Sequence, residues 1–214
     1  MPALLPPGAT MRRRILVQLA GIVVIATGVA LTIDAELGVA PYDVVTTGMH
    51  QRLGISIGLA AVLLPIVFLA AGLLLGGRVG LGTLFDVALI GPLLGGILAV
   101  LPEVHALAVR IPMYAAGFSC ITVGIGLVIV PDLGAGPAEV LMLAVAGKGI
   151  RLAVARSAIE AVLVLVGWAM RGQVGVGTLV FAVLIGPALR RTLTWFGVAP
   201  DKAATRSDTA SPGA

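Results

Sequence analysis

Long stretches of this chain carry no charged residue. Positions 15–33, 53–77, 111–131 and 172–189 are free of Asp, Glu, Lys and Arg. Their apolar positions do not alternate with polar ones, as membrane-spanning β-strands require. A helix needs about 20 mostly apolar residues to cross a hydrocarbon core. In lipid the backbone must satisfy its own hydrogen bonds, which a helix does. The pattern therefore predicts an all-α polytopic transmembrane bundle. Long helices are expected over 15–33, 56–76, 80–101, 112–130, 152–170 and 175–196. Two short helices are expected to begin at Pro41 and Pro137, over 41–53 and 137–147. Even about 13 residues, at about 1.5 Å per residue, cover roughly 20 Å, less than a full span.

Composition agrees. The hydrophobic fraction is 59% and the charged fraction 11%, against roughly 45–50% and 25% in soluble domains. Mean hydropathy is +1.12. The net charge of +4 sits at the ends of apolar runs and in the tails, where cytoplasmic anchoring places Lys and Arg. That placement points to a lipid bilayer and excludes a nucleic-acid partner. The single cysteine, Cys120, permits no intrachain disulfide.

Two words recur along the chain. Leu37-Gly38-Val39-Ala40-Pro41-Tyr42-Asp43-Val44 matches 133–140 at four of eight positions, 96 residues later. Residues 79–92 match 174–187 at nine of fourteen, 95 residues later. The second match shares Gly80, Gly82 and Thr83 with Gly175, Gly177 and Thr178, and Pro92 with Pro187. The chain therefore divides into a disordered extension over 1–10, a first membrane repeat over 11–101, a linker over 102–111, a second repeat over 112–197 and a disordered tail over 198–214. If the short helices cross the membrane, the copies are parallel; if they dip in and return, the copies are inverted. Both kinds occur in transporters. With a cytoplasmic N-terminus the parallel arrangement leaves Arg78 and Arg171 outside, and the inverted one Arg52, Arg110 and Arg171. The positive-inside rule thus favours the parallel arrangement, with both termini cytoplasmic.

Ionisable residues within membrane helices are costly and mark functional candidates. Asp86 shares a helix face with Thr83, three residues earlier. Its counterpart is Phe181, so the shared fold does not require an acid there. Arg156 and Glu160 lie four apart on one face, which suits a mutually neutralising pair. Asp43 and Glu139 each follow a proline by two. That position suits helix initiation, and it would also place an acid near a transport path if the short helices begin inside the bilayer. The glycines of Gly80-x-Gly82-Thr83 and Gly175-x-Gly177-Thr178 suit a tight turn with threonine capping the next helix. Those words lack the lysine of a phosphate loop. Pro92 and Pro187 are expected to kink their helices. No catalytic set, metal-ligand spacing or cofactor fingerprint is present, so the chain is not expected to be an enzyme.

The words 37–44, Gly54-Ile55-Ser56-Ile57-Gly58 and Gly77-Arg78-Val79-Gly80-Leu81-Gly82-Thr83 resemble the YczE/YyaS/YitT family of bacterial membrane proteins, over residues 11–196. The family typically has Pro-Trp-Asp where this chain has Pro41-Tyr42-Asp43. The second copy departs further, with Ala138 and Glu139, and Asp86 stands where a neutral polar residue is expected. The resemblance implies a bacterial cytoplasmic membrane location. The expected function is a small-solute or ion transporter or permease component. The alternative is a non-transporting accessory or regulatory protein that docks on a membrane partner or on a second copy of itself.

Overall fold

The computed structural model describes residues 4–5, 8–102 and 104–198. It is all-helical: α1 (Met11–Asp34), α2 (Pro41–Leu53), α3 (Ile57–Leu74), α4 (Leu81–Leu98), α5 (Leu107–Ile129), α6 (Pro137–Ala146), α7 (Leu152–Ala169) and α8 (Val176–Trp195). Among the described residues, six of these are long and apolar enough to cross a membrane. The chain is therefore built as a multi-pass membrane protein, and large apolar side chains such as Val67, Leu74, Leu165 and Val183 face outward, where lipid costs them nothing.

Local chemistry sets the helix starts. The hydroxyls of Thr10 and Ser56 cap α1 and α3, accepting from the amides of Arg13 and Leu59. Pro41 and Pro137 open α2 and α6, where the missing N–H has no intrahelical partner to lose. Two boundaries differ from expectation. The basic turn Arg12–Arg14 belongs to α1, and α5 begins five residues before Pro112, inside the expected linker. Pro112 therefore sits within the helix and does not open it. Of the N-terminal extension, Leu4 is described, and its amide donates to the Phe196 carbonyl. The expected C-terminal tail beyond residue 198 lies outside the described residues.

The centre of the bundle is the α1–α5 crossing. Both helices meet on glycine. A Cβ on Gly28 would fall 2.7 Å from the Gly117 carbonyl, and one on Gly124 3.0 Å from the Gly21 carbonyl. Removing side chains lets the backbones approach, as membrane helices favour. The pairing order is reversed: Gly28 opposes Gly117, while Gly21 opposes the later Gly124. So α1 and α5 run antiparallel. Their ends show it again. Arg14, at the start of α1, donates to the carbonyls of Pro131 (2.6 Å) and Asp132 (2.7 Å) just after α5. Arg110, at the start of α5, donates to Ala35 (2.6 Å) and Glu36 (2.8 Å) just after α1. Glu36 and Asp132 both turn the chain through positive φ, 48° and 54°.

This corrects the parallel arrangement favoured by the basic residues. In a bilayer that α3 and α4 both cross, α1 and α5 can be antiparallel only if the segment holding α2 returns to the side it left. The reason for the error is specific. Arg110 weighed against the inverted arrangement, yet its place is fixed by helix-end carbonyls that need donors and not by the side of the membrane it prefers.

Each half also inserts a loop into the other. The Leu37 carbonyl accepts from the Gly177 amide (2.7 Å), and the Leu133 carbonyl from the Gly82 amide (2.8 Å). Gly38 and Gly134 make these approaches at φ 104° and 133°, which side chains disfavour. A Cβ on Gly80 would strike the Leu133 carbonyl, and one on Gly175 the Leu37 carbonyl. The recurring words are therefore complementary halves of two docking contacts. Around them α2 packs on α7 and α6 on α3, again over glycine, with Gly167 against Val44 and Gly72 against Val140. The main core holds Val29, Ile33, Val44, Leu94, Ile121 and Phe181.

Candidate functional site

Asp86 lies on the second turn of α4, one turn beyond Thr83. Both face inward: Thr83 is fully buried and Asp86 only 4% exposed. The Thr83 hydroxyl closes the helix start by accepting from the Gly80 amide (3.2 Å) and donating to the Ala135 carbonyl (2.6 Å). It thus ties α4 to the loop that leads into α6, fixing where Asp86 stands relative to that short helix. Thr178 accepts from Gly175 in the same way (3.3 Å).

Facing Asp86 from α1 is Gln18, which is fully buried. Its Nε2 donates to Asp86 Oδ1 at 3.0 Å. Its Oε1 is buried and has no hydrogen-bond partner. From the third side comes Glu139, in the first turn of α6. Glu139 Oε2 and Asp86 Oδ2 both lie within 4 Å of the point where a Cβ on Gly136 would sit. Two carboxylates and an amide from three helices thus converge beside a glycine that leaves them room. Among the described residues no ion pair engages Asp86, Glu139 or Asp43.

Asp43 holds the matching place on α2 but is buried, at 7% exposed, whereas Glu139 is exposed. Its surroundings differ from those of Glu139. The position corresponding to Asp86 is Phe181, stacked edge-on against Phe118 at 5.6 Å. The position corresponding to Gln18 is Tyr114, whose hydroxyl donates to the Gly177 carbonyl. One half thus carries a polar centre and the other an aromatic one. Thr47, one turn beyond Asp43, accepts from the Gln173 amide at 3.0 Å, holding α2 to the loop before α8.

Arg156 and Glu160 do form the expected i,i+4 pair, at 2.9 Å, with side chains 49% and 31% exposed. They lie on the outer side of α7, which packs chiefly on α2 and α6, and are not part of the Asp86 cluster. Between α3, α6 and α7 an apolar pocket of about 240 Å³, lined by Phe68, Leu141, Ile159 and Leu163 among others, contains no polar group. Pro92 and Pro187 lie inside α4 and α8, past the polar centre and its aromatic counterpart.

Gln18 is the residue that sequence reasoning passed over. It is the one Asn or Gln in the charge-free run 15–33. An amide in a membrane helix is expected to turn toward other helices, and that signal was available.

Comparison with known proteins places these residues in a family. Residues 12–193 match the model of a family of unknown function, DUF6198. The chain is 29% identical over 177 residues to the uncharacterized membrane protein YczE of Bacillus subtilis (strain 168), covering 81% of this chain and 82% of the relative. It is 29% identical over 168 residues to an uncharacterized protein of Haemophilus influenzae, covering 78% and 77%. It is 23% identical over 174 residues to the uncharacterized protein YyaS of B. subtilis, covering 79% and 87%. No solved structure matches the chain.

Proposed function

Since this chain belongs to the DUF6198 family, whose members bring no assigned activity, we propose from the geometry alone that it is a transporter of a small solute or ion. The observation that carries this reading is the Gln18–Asp86 contact facing Glu139. Polar and ionisable groups are expensive inside a membrane protein and are retained along solute or ion paths. Here the buried Gln18 and Asp86 meet the exposed Glu139 at the start of a short helix. Transporters place their sites at such interrupted helices, between repeats of inverted topology. The recurring words, the antiparallel α1–α5 crossing and the exchanged loops support an inverted duplication here. In this reading the chain sits in the bacterial cytoplasmic membrane with both termini inside.

The test is reconstitution. Proteoliposomes on a solid-supported membrane, challenged with a panel of inorganic cations, anions and small zwitterions, should give a substrate-dependent current or uptake. Asp86→Asn should abolish it while the protein elutes as a folded species. Absence of any signal from well-inserted wild-type protein refutes the reading.

One observation favours a second reading, an accessory protein that docks on a membrane partner or on a second copy. Arg156 and Glu160 are exposed along a helix apolar enough to span the bilayer, where charges facing lipid are costly. A partner helix would cover them. Co-purification of a fixed partner together with no flux would favour this reading over transport.

A further inference from the structure

We propose that Gln18, Asp86 and Glu139 form a binding site for one monovalent inorganic cation, of which Na⁺ is the representative. The inference rests on the transport reading for the site's purpose, but its chemistry stands on the side chains alone.

The donors are all oxygen. Asp86 offers Oδ2, Glu139 offers Oε2, and both lie beside Gly136. Gln18 offers Oε1, buried and without a partner, on the same amide whose Nε2 is fixed to Asp86 at 3.0 Å. An amide carbonyl left unpaired in a packed interior forfeits a hydrogen bond it would have made to water. A cation is the ligand that would satisfy it together with the carboxylates, since hard oxygen donors select hard cations.

Charge sets the valence. Glu139 is the third residue of α6, where the helix dipole offsets much of a negative charge. Asp86 lies a full turn deeper in α4, with no ion-pair partner among the described residues. One negative charge is left to balance, which suits a monovalent ion. Ligand number agrees. Mg²⁺ gives up its waters reluctantly and Ca²⁺ takes about six to eight oxygens. The cluster offers one free side-chain oxygen each from Gln18, Asp86 and Glu139, short of the Ca²⁺ complement. The site is also single, because Tyr114 and Phe181 occupy the matching places in the other half.

The test uses the purified full chain in detergent, with choline chloride exchanged for NaCl at constant ionic strength. It is read by thermal unfolding and by ²²Na⁺ binding. Wild type should show a saturable, Na⁺-specific rise in Tm and bind one ion per chain. Asp86→Asn should lose both. Gln18→Leu and Glu139→Gln should weaken the apparent affinity by about tenfold or more, and they carry the test if Asp86→Asn fails to fold. Cys120→Ser, outside the site, should respond as wild type. Stabilisation by choline equal to that by Na⁺, or an undiminished Na⁺ response in all three site variants, overturns the proposal. Na⁺ binding without flux would leave the site standing and remove the transport reading. Flux indifferent to Na⁺ in a protein that does not bind it would do the reverse.

Discussion

Arg14 and Arg110 each close the far end of the other's helix. Arg14 leaves the start of α1 for the carbonyls after α5, and Arg110 leaves the start of α5 for those after α1. Charged donors to backbone carbonyls are worth about 1.5–3 kcal/mol each. Arg14→Gln and Arg110→Gln should therefore each lower stability in detergent by about 1–3 kcal/mol. The two sites lie at opposite ends of the α1–α5 pair, so the double variant should be near additive. Strong non-additivity in thermal or denaturant unfolding would contradict two separate clamps.

The glycine crossing makes a sharper contrast. A methyl group on Gly28 would meet backbone atoms of Gly117 and Ile121 at 2.7 Å, whereas one on Gly96 would meet nothing within 4 Å. Gly28→Ala should cost about 1–3 kcal/mol by overpacking. Gly96→Ala should be neutral or slightly stabilising, since alanine is the better helix former by up to about 1 kcal/mol. Equal behaviour of the two in unfolding measurements would mean that α1 and α5 do not cross there.

Much of this architecture was readable from the chain. Apolar runs gave the six long helices because lipid solvation leaves no other way to satisfy the backbone. Pro41 and Pro137 marked the short helices because proline suits the first position of a helix. Arg156 and Glu160 were recognisable as a pair from their spacing. Direction was not readable. It turned on one basic residue, and Arg110 is held by carbonyls that no local pattern reveals. The site was half legible: Asp86 and Glu139 stood out as acids in apolar surroundings. Gln18 carries no charge, and its meeting with Asp86 depends on how α1 and α4 pack, 68 residues apart.

The Arg156–Glu160 pair yields a double-mutant test. Removing one charge leaves the other unbalanced on α7, and removing both does not. Arg156→Gln and Glu160→Gln should each reduce folded yield from membranes more than the combined variant does. If the double variant is the worst, or the singles are silent, the two charges do not neutralise each other in the membrane.

The interlocked loops should respond at their contact points. Gly80→Ala and Gly175→Ala would each push a methyl group into a carbonyl of the opposite half. Both should destabilise by about 1–3 kcal/mol. Gly76→Ala is a poor control because of its positive φ of 90°; Gly186→Ala, with open space around it, is a suitable one. Unfolding midpoints for Gly80→Ala and Gly175→Ala that match Gly186→Ala would remove the exchanged loops from the fold.

The central claim, that the two halves traverse the bilayer in opposite directions, is tested most directly by cysteine accessibility in intact cells. In a Cys120→Ser background, which leaves no other cysteine, single cysteines replace the exposed Arg52, Arg78, Lys148 and Arg171. A membrane-impermeant maleimide should label positions 52 and 171 from one side, and positions 78 and 148 from the other. Finding position 52 on the same side as 148, with 171 opposite, would mean that the halves run parallel and would contradict the account.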